Sequence, residues 1–160
     1  MKILIDADGC PVVDLTLRAA AEAGVKCVIL CDTAHRIERP GAETLVFDQG
    51  ADSVDFALVS RAEPGDVVVT QDYGLAAMCL SRRAAPIRQD GLVYDEGNIE
   101  ALLTVRAEAK RIRRGGGRLK GPPKRTAADD RAYEASLRAL LLQKMAAAGE
   151  PVPVILPLQK

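Results

Sequence analysis

Short apolar runs alternate with helix-patterned segments along this chain, and that alternation restricts the fold more than any other feature. The runs are KILID (2–6), VKCVILCD (25–32), TLVFD (44–48) and GDVVVTQD (65–72). Each reads as a buried strand. PVVDLTLRAAAEAG (11–24) reads as a helix: Val12, Leu15, Ala19 and Ala23 fall at helical spacing, Pro11 suits the first turn, and Gly24 suits the position just past the end. SVDFALVSRAE (53–63) reads as a second helix, with Ser53 as cap after Asp52. YGLAAMCLSRRA (73–84) is a third. APIRQD and GLVYD (85–95) predict a last short strand or hairpin, and NIEALLTVRAEAKRIRR (98–114) a helix that turns basic. Strands that alternate with helices pair in parallel and need cover on both faces. The expectation is a three-layer α/β/α fold around a mostly parallel sheet.

One domain over residues 1–160 accommodates these elements, with no internal repeat. GGGRLKGPPKR (115–125) is a basic Gly/Pro-rich connection without regular structure. AADDRAYEASLRALLLQKMAAAG (127–149) is a C-terminal helix, and EPVPVILPLQK an apolar, proline-punctuated tail expected to pack as an extended arm or to serve a partner. The chain has no Trp, two Phe and three Tyr, so Val, Ile, Leu and Ala must fill the core. A platform of several rings for stacking single-stranded bases is missing. No run is long and apolar enough for a membrane helix, and no leader pattern opens the chain, so the expectation is a cytoplasmic protein without membrane association. Cys10, Cys27, Cys31 and Cys79 form no CxxC pair and read as reduced core thiols rather than a zinc site.

Net charge is zero, but the two signs are segregated. Residues 1–105 hold 9 Lys/Arg against 17 Asp/Glu, a net of −8; residues 106–125 hold 9 Lys/Arg against one Glu, a net of +8. An acidic body suits cations at one place, and a basic segment suits phosphates at another. Arg111, Arg113, Arg114 and Lys120 are the expected nucleic-acid contacts, with RNA as partner; pairing of this segment with the acidic body of a second copy is a possible homo-oligomer.

Ligands of an open parallel sheet bind beyond the carboxyl ends of its strands. Asp6 and Asp8 follow the first strand, and Asp72 follows VVVT. Asp52 and Asp55 open the second helix. Carboxylates gathered at one rim repel each other, and a divalent cation relieves the repulsion. Mg²⁺ or Mn²⁺ takes such oxygen donors and serves phosphate chemistry. Turn chemistry competes with this reading: Asp8 also suits the cap of the helix after Pro11, and helix starts attract Asp in general. Asp32, Asp48, Asp90 and Asp95 fit loops, as does the lone His35. No GxSxG, P-loop or GxGxxG motif is present.

IDADGCPVV, GADSVDFALV, AEPGDVVVTQDYGLAA, GLVYDEGNI and GGGRLKGPP…DRAY occur in one order across residues 3 to about 142. In this the chain resembles the bacterial YaiI/YqxD family, uncharacterised proteins grouped with PIN-like nuclease domains. The resemblance implies a PIN-like fold and a metal-dependent nuclease function. It places Asp6 after the first strand, Asp52 or Asp55 on a middle helix, and Asp72 after the fourth strand as acidic residues of the site, with Asp90 a candidate for a further one.

Three functions compete. In a metal-dependent ribonuclease, Asp6, Asp72 and Asp52 or Asp55 hold Mg²⁺ or Mn²⁺ with Asp8 beside them, making Asp6, Asp8 and Asp72 the catalytic candidates. In a phosphatase, IDADGC resembles the haloacid-dehalogenase signature DxDGT, with Asp6 as nucleophile and Asp8 as general acid; Cys10 replaces the Thr of that signature. A non-catalytic RNA-binding module uses the basic segment alone.

Overall fold

Residues 1–50 and 52–152 are described in the computed structural model. The strands are β1 (Lys2–Asp6), β2 (Lys26–Asp32), β3 (Glu43–Phe47), β4 (Val67–Val69) and β5 (Ala85–Ile87). The helices are α1 (Val13–Ala23), α2 (Ser53–Arg61), α3 (Tyr73–Ser81), α4 (Ile99–Arg114) and α5 (Ala127–Ala148). All five strands are parallel, in the order β3-β2-β1-β4-β5. β1 is central: Ile5 lies beside Ile29 of β2 and Val69 of β4.

Alternate residues of a strand face opposite sides, and each side here meets helices. Ile3, Ile5, Ile29 and Val69 pack with Val13 and Ala20 of α1 and with Tyr133, Leu137 and Leu141 of α5. Leu4, Leu30 and Val68 pack with Leu58 of α2 and Leu75 and Cys79 of α3. Ala76, Tyr94 and Ile99 join α4 to the outside of α3. The expected three-layer arrangement is therefore present, with helices on both faces of the sheet. A buried hydrogen bond of 2.7 Å links Thr16 of α1 to the Tyr133 hydroxyl of α5. The thiols of Cys27, Cys31 and Cys79 are buried and free.

Element ends depart from the sequence reading in several places. α1 begins at Val13, with Val12 in the cap position and no side-chain cap, so Asp8 does not cap it. Gly24 closes α1 at φ 67°, as its place in the sequence predicts. Asp52, not Ser53, occupies the cap position of α2. β4 is shorter than GDVVVTQD, spanning only Val67–Val69; just before it the buried Asp66 carboxylate accepts the Lys2 and Glu63 amides, each at 3.0 Å. The 85–95 segment is a strand closed by one antiparallel bridge, Ile87 to Val93. Gly91 in its turn has φ 92°, and a Cβ there would stand 2.9 Å from the Ala132 carbonyl of α5. Among the described residues no helix is long and apolar enough to cross a membrane. The expected arm of the tail falls mainly on residues 153–160, outside the described residues.

Candidate functional site

From β1 the chain passes to β2 and β3 on one side of the sheet, then returns through α2 to β4 and β5 on the other. This makes the carboxyl ends of β1 and β4 a switch point, where loops part and a crevice opens. A cleft of about 470 Å³ lies there. Asp6, Asp8, Asp32, Asp52, Asp55 and Asp72 line it, with Gln71, Tyr73 and Arg106. All five carboxylates singled out from the sequence thus face one cleft, with Asp32 as a sixth.

Asp6 ends β1 and is partly buried. Burial pushes its pKa up to about 6, the charges of Asp55, Asp72 and Asp8 push the same way, and a hydrogen bond from Thr70 opposes. That bond, from the Thr70 hydroxyl to Asp6 Oδ2, is 2.9 Å long. The same hydroxyl accepts the Asp72 amide at 3.0 Å, so one buried threonine fixes both strand ends. The Tyr94 hydroxyl in turn donates to the Thr70 carbonyl at 3.3 Å.

Asp72 caps α3. Its Oδ1 accepts the Gly74 and Leu75 amides at 2.8 and 3.1 Å and Arg106 Nη1 at 2.9 Å. Turn chemistry and cleft placement therefore coincide in one residue. Asp55 sits in the first turn of α2; burial, then the charges of Asp72 and Asp52, raise its pKa, and Arg106 opposes. Asp52 precedes it in the left-handed region at φ 64°, without a side-chain cap bond, a conformation Asp tolerates better than most residues.

Asp8 and Asp32 meet on the other side of the cleft around His35. His35 Nδ1 lies 2.8 Å from Asp32 Oδ1 and 3.4 Å from Asp8 Oδ1. The Asp32 hydrogen bond, the Asp32 charge and the Asp8 charge raise the His35 pKa. One ligand atom from each of Asp8, Asp32 and His35 lies within 4.8 Å of the others.

Arg106 is the cation that the carboxylate pattern did not single out. It comes from α4, which packs on α3. Arg111, Arg113 and Arg114 lie in the last turn of the same helix, and Lys120 in the coil beyond; all are exposed. At the usual helical rise, Arg114 is about 12 Å along the axis from Arg106. Arg111 pairs with Glu108 at 2.9 Å. Asp90 lies outside the cleft lining and is held by Arg88 through bonds of 2.9 and 2.6 Å. Asp95 binds the Asn98 amide at 2.8 Å at the start of α4.

The donor set is hard and anionic, with no thiolate among the lining residues. Such oxygen donors suit Mg²⁺ or Mn²⁺ better than zinc or copper. The sequence pattern of the family described as "Uncharacterized BCR, YaiI/YqxD family" matches residues 4–143. The chain belongs to the YaiI/YqxD family. It is 54 % identical over 144 residues to a UPF0178 protein of Exiguobacterium sibiricum, covering 90 % of this chain and 99 % of that one. A UPF0178 protein of Clostridium acetobutylicum is 45 % identical over 145 residues, covering 89 % and 98 %. One from Natranaerobius thermophilus is 41 % identical over 143 residues, covering 89 % and 97 %. No solved structure matches the chain. The YaiI/YqxD match spans both strand ends that carry Asp6 and Asp72, and all of α4.

Proposed function

We propose that this YaiI/YqxD protein is a divalent-metal-dependent nuclease acting on RNA. The observation that carries the reading is the convergence of Asp6, Asp55 and Asp72 on the cleft at the β1–β4 switch point. Asp6 and Asp72, with Asp52 and Asp55 from α2, are the residues that would hold Mg²⁺ or Mn²⁺. When bound, the cation supplies Lewis acidity toward a phosphodiester and offsets the carboxylate charge.

The chain's own groups divide the remaining work. Thr70 holds Asp6 through its hydroxyl and the Asp72 backbone through the same atom. The α3 amides and Arg106 fix Asp72 Oδ1. Among the described residues Arg106 is the only cation lining the cleft, and it supplies positive charge for a phosphate oxygen. Arg111, Arg113, Arg114 and Lys120 bind the RNA backbone away from the cleft, a contact that fixes register without reading sequence.

The test is cleavage of a mixed RNA by the purified protein with Mg²⁺, Mn²⁺ or chelator. Cutting that needs the metal and is lost in both Asp6→Asn and Asp72→Asn supports the reading. Phosphate trapped covalently on Asp6 from a phosphomonoester would replace it with the phosphatase. Tight RNA binding without any cutting would leave the non-catalytic module.

A further inference from the structure

A second hollow of about 250 Å³ adjoins the carboxylate cleft. The two share Asp52, Asp55, Asp72 and Arg106. The other walls of the second hollow are Phe56 of α2 and Gly74, Leu75 and Met78 of α3, none of them charged. Phe56 is 68 % exposed and Met78 38 %, so both present side chain to solvent at the rim of a charged site.

The other four rings of this aromatic-poor chain are engaged. Tyr73 and Tyr94 meet edge to face at 6.0 Å. Arg88 lies over Tyr73, and Arg61 covers Phe47 at 5.3 Å. Tyr133 is buried. Among the described residues, only Phe56 offers an uncovered ring, and it directly follows Asp55. Gly74 leaves room for the Asp72–Arg106 pair that the two hollows share: a Cβ there would stand 3.2 Å from Asp72 Oδ1 and 3.4 Å from Arg106 Nη1.

We propose that this hollow takes one unpaired nucleobase of a single-stranded nucleic acid, stacked on Phe56 beside Met78. The proposal rests on the reading of the neighbouring cleft as a phosphodiester site. A base suits the mixed lining better than an apolar peptide side chain does. Its flat face meets the ring and the thioether, while its edge carries N–H and carbonyl groups for the carboxylates and the guanidinium. An aliphatic group would cover those charges without pairing them, at a cost in free energy. A base inside a duplex has both faces stacked on its neighbours, so the hollow selects single strands. One exposed ring accommodates one base, which reconciles a base site with the scarcity of aromatics.

The experiment is equilibrium binding of a short RNA carrying 2-aminopurine, with Ca²⁺ replacing Mg²⁺. Phe56→Ala, Phe56→Trp and the parent are compared on the single strand and on its duplex, after matched melting curves establish folding. Loss of a stacked base weakens single-strand affinity by about 5- to 150-fold. Phe56→Ala is expected to show that loss and a weaker fluorescence quench, Phe56→Trp to restore both, and duplex binding to stay level across the set. Equal single-strand affinity of parent and Phe56→Ala overturns the proposal. So does a Phe56→Ala variant whose only change is its sedimentation coefficient, since the ring then contacts a second copy. Metal-dependent cleavage with unchanged Phe56→Ala binding removes the base site and leaves the nuclease. Phe56-dependent single-strand binding without cleavage keeps the base site and removes the nuclease.

Discussion

Replacing Asp6 by Asn is expected to stabilise the protein at neutral pH when no divalent cation is present. Burial and the neighbouring carboxylates raise its pKa from 3.8 to about 6. The unfolded chain holds this proton only below about pH 4, the folded chain up to about pH 6. The group's contribution is thus favourable below pH 4, declines as pH rises to about 6, and leaves its full cost above that. A shift of about two units corresponds to about 3 kcal/mol. Asn keeps an oxygen for the Thr70 hydroxyl, so the variant escapes the charge penalty without losing that bond. For a chain of this size, about 3 kcal/mol corresponds to about 6–12 °C in Tm. Melting curves in chelator at pH 4, 5, 6, 7 and 8 should show only a small gap between variant and parent at pH 4 and a widening gain that levels off above pH 6. Adding Mg²⁺ should raise the parent's Tm at pH 8 and close most of the gap. A variant that melts below the parent at pH 8 in chelator would refute the reasoning, because the carboxylate would then be a net stabilising group.

Neutralising Arg111, Arg113, Arg114 and Lys120 together should flatten the log–log salt dependence of RNA binding by up to about 3, which salt titrations of binding would measure; an unchanged slope would show these cations to be a solvated surface. Arg106→Gln removes the cation that opposes repulsion between Asp55 and Asp72; its Tm should fall at pH 8 in chelator and recover with Mg²⁺ more than the parent's rises. Asp66→Ala should cost about 3 kcal/mol in urea unfolding. It strips two backbone amides of their acceptor and leaves Lys2, 2.7 Å away, without its buried partner. Tyr133→Phe should cost about 1 kcal/mol in the same assay, because Thr16 keeps its bond to the Val12 carbonyl.

The layers of this fold were legible because the apolar runs carry direction. Ile3–Leu4–Ile5 and Val67–Val68–Val69 are consecutive apolar residues, so both faces of these strands need cover inside a sheet. Convergence of Asp6, Asp8 and Asp72 followed from strand ends alone, and that of Asp52 and Asp55 from the helix returning to β4. Other parts depend on packing that one-dimensional pattern does not encode. Arg106 is 34 residues from Asp72 and reaches it only because α4 lies against α3. Thr70 reads as one more β-branched strand residue, yet its hydroxyl ties Asp6 to Asp72. Asp32 and His35 read as loop, and the pairing of β2 with β1 carries them to Asp8. Asp8 reads as a helix cap, but α1 begins only at Val13, five residues on.

The last helix sets when this site can exist. α5 lines no part of the cleft, yet its Tyr133, Leu137 and Leu141 complete the core on the face where Ile3 and Ile5 lie. Among the described residues, each one lining the cleft, up to Arg106, leaves the ribosome before α5 does. At about 5–20 residues per second, the wait from Arg106 to Ala148 is about 2–8 s. During that interval the nascent chain carries all six carboxylates but a sheet bare on half of one face. The cleft is synthesised early and assembled late, and a half-made chain presents exposed apolar strands where the finished protein presents a site.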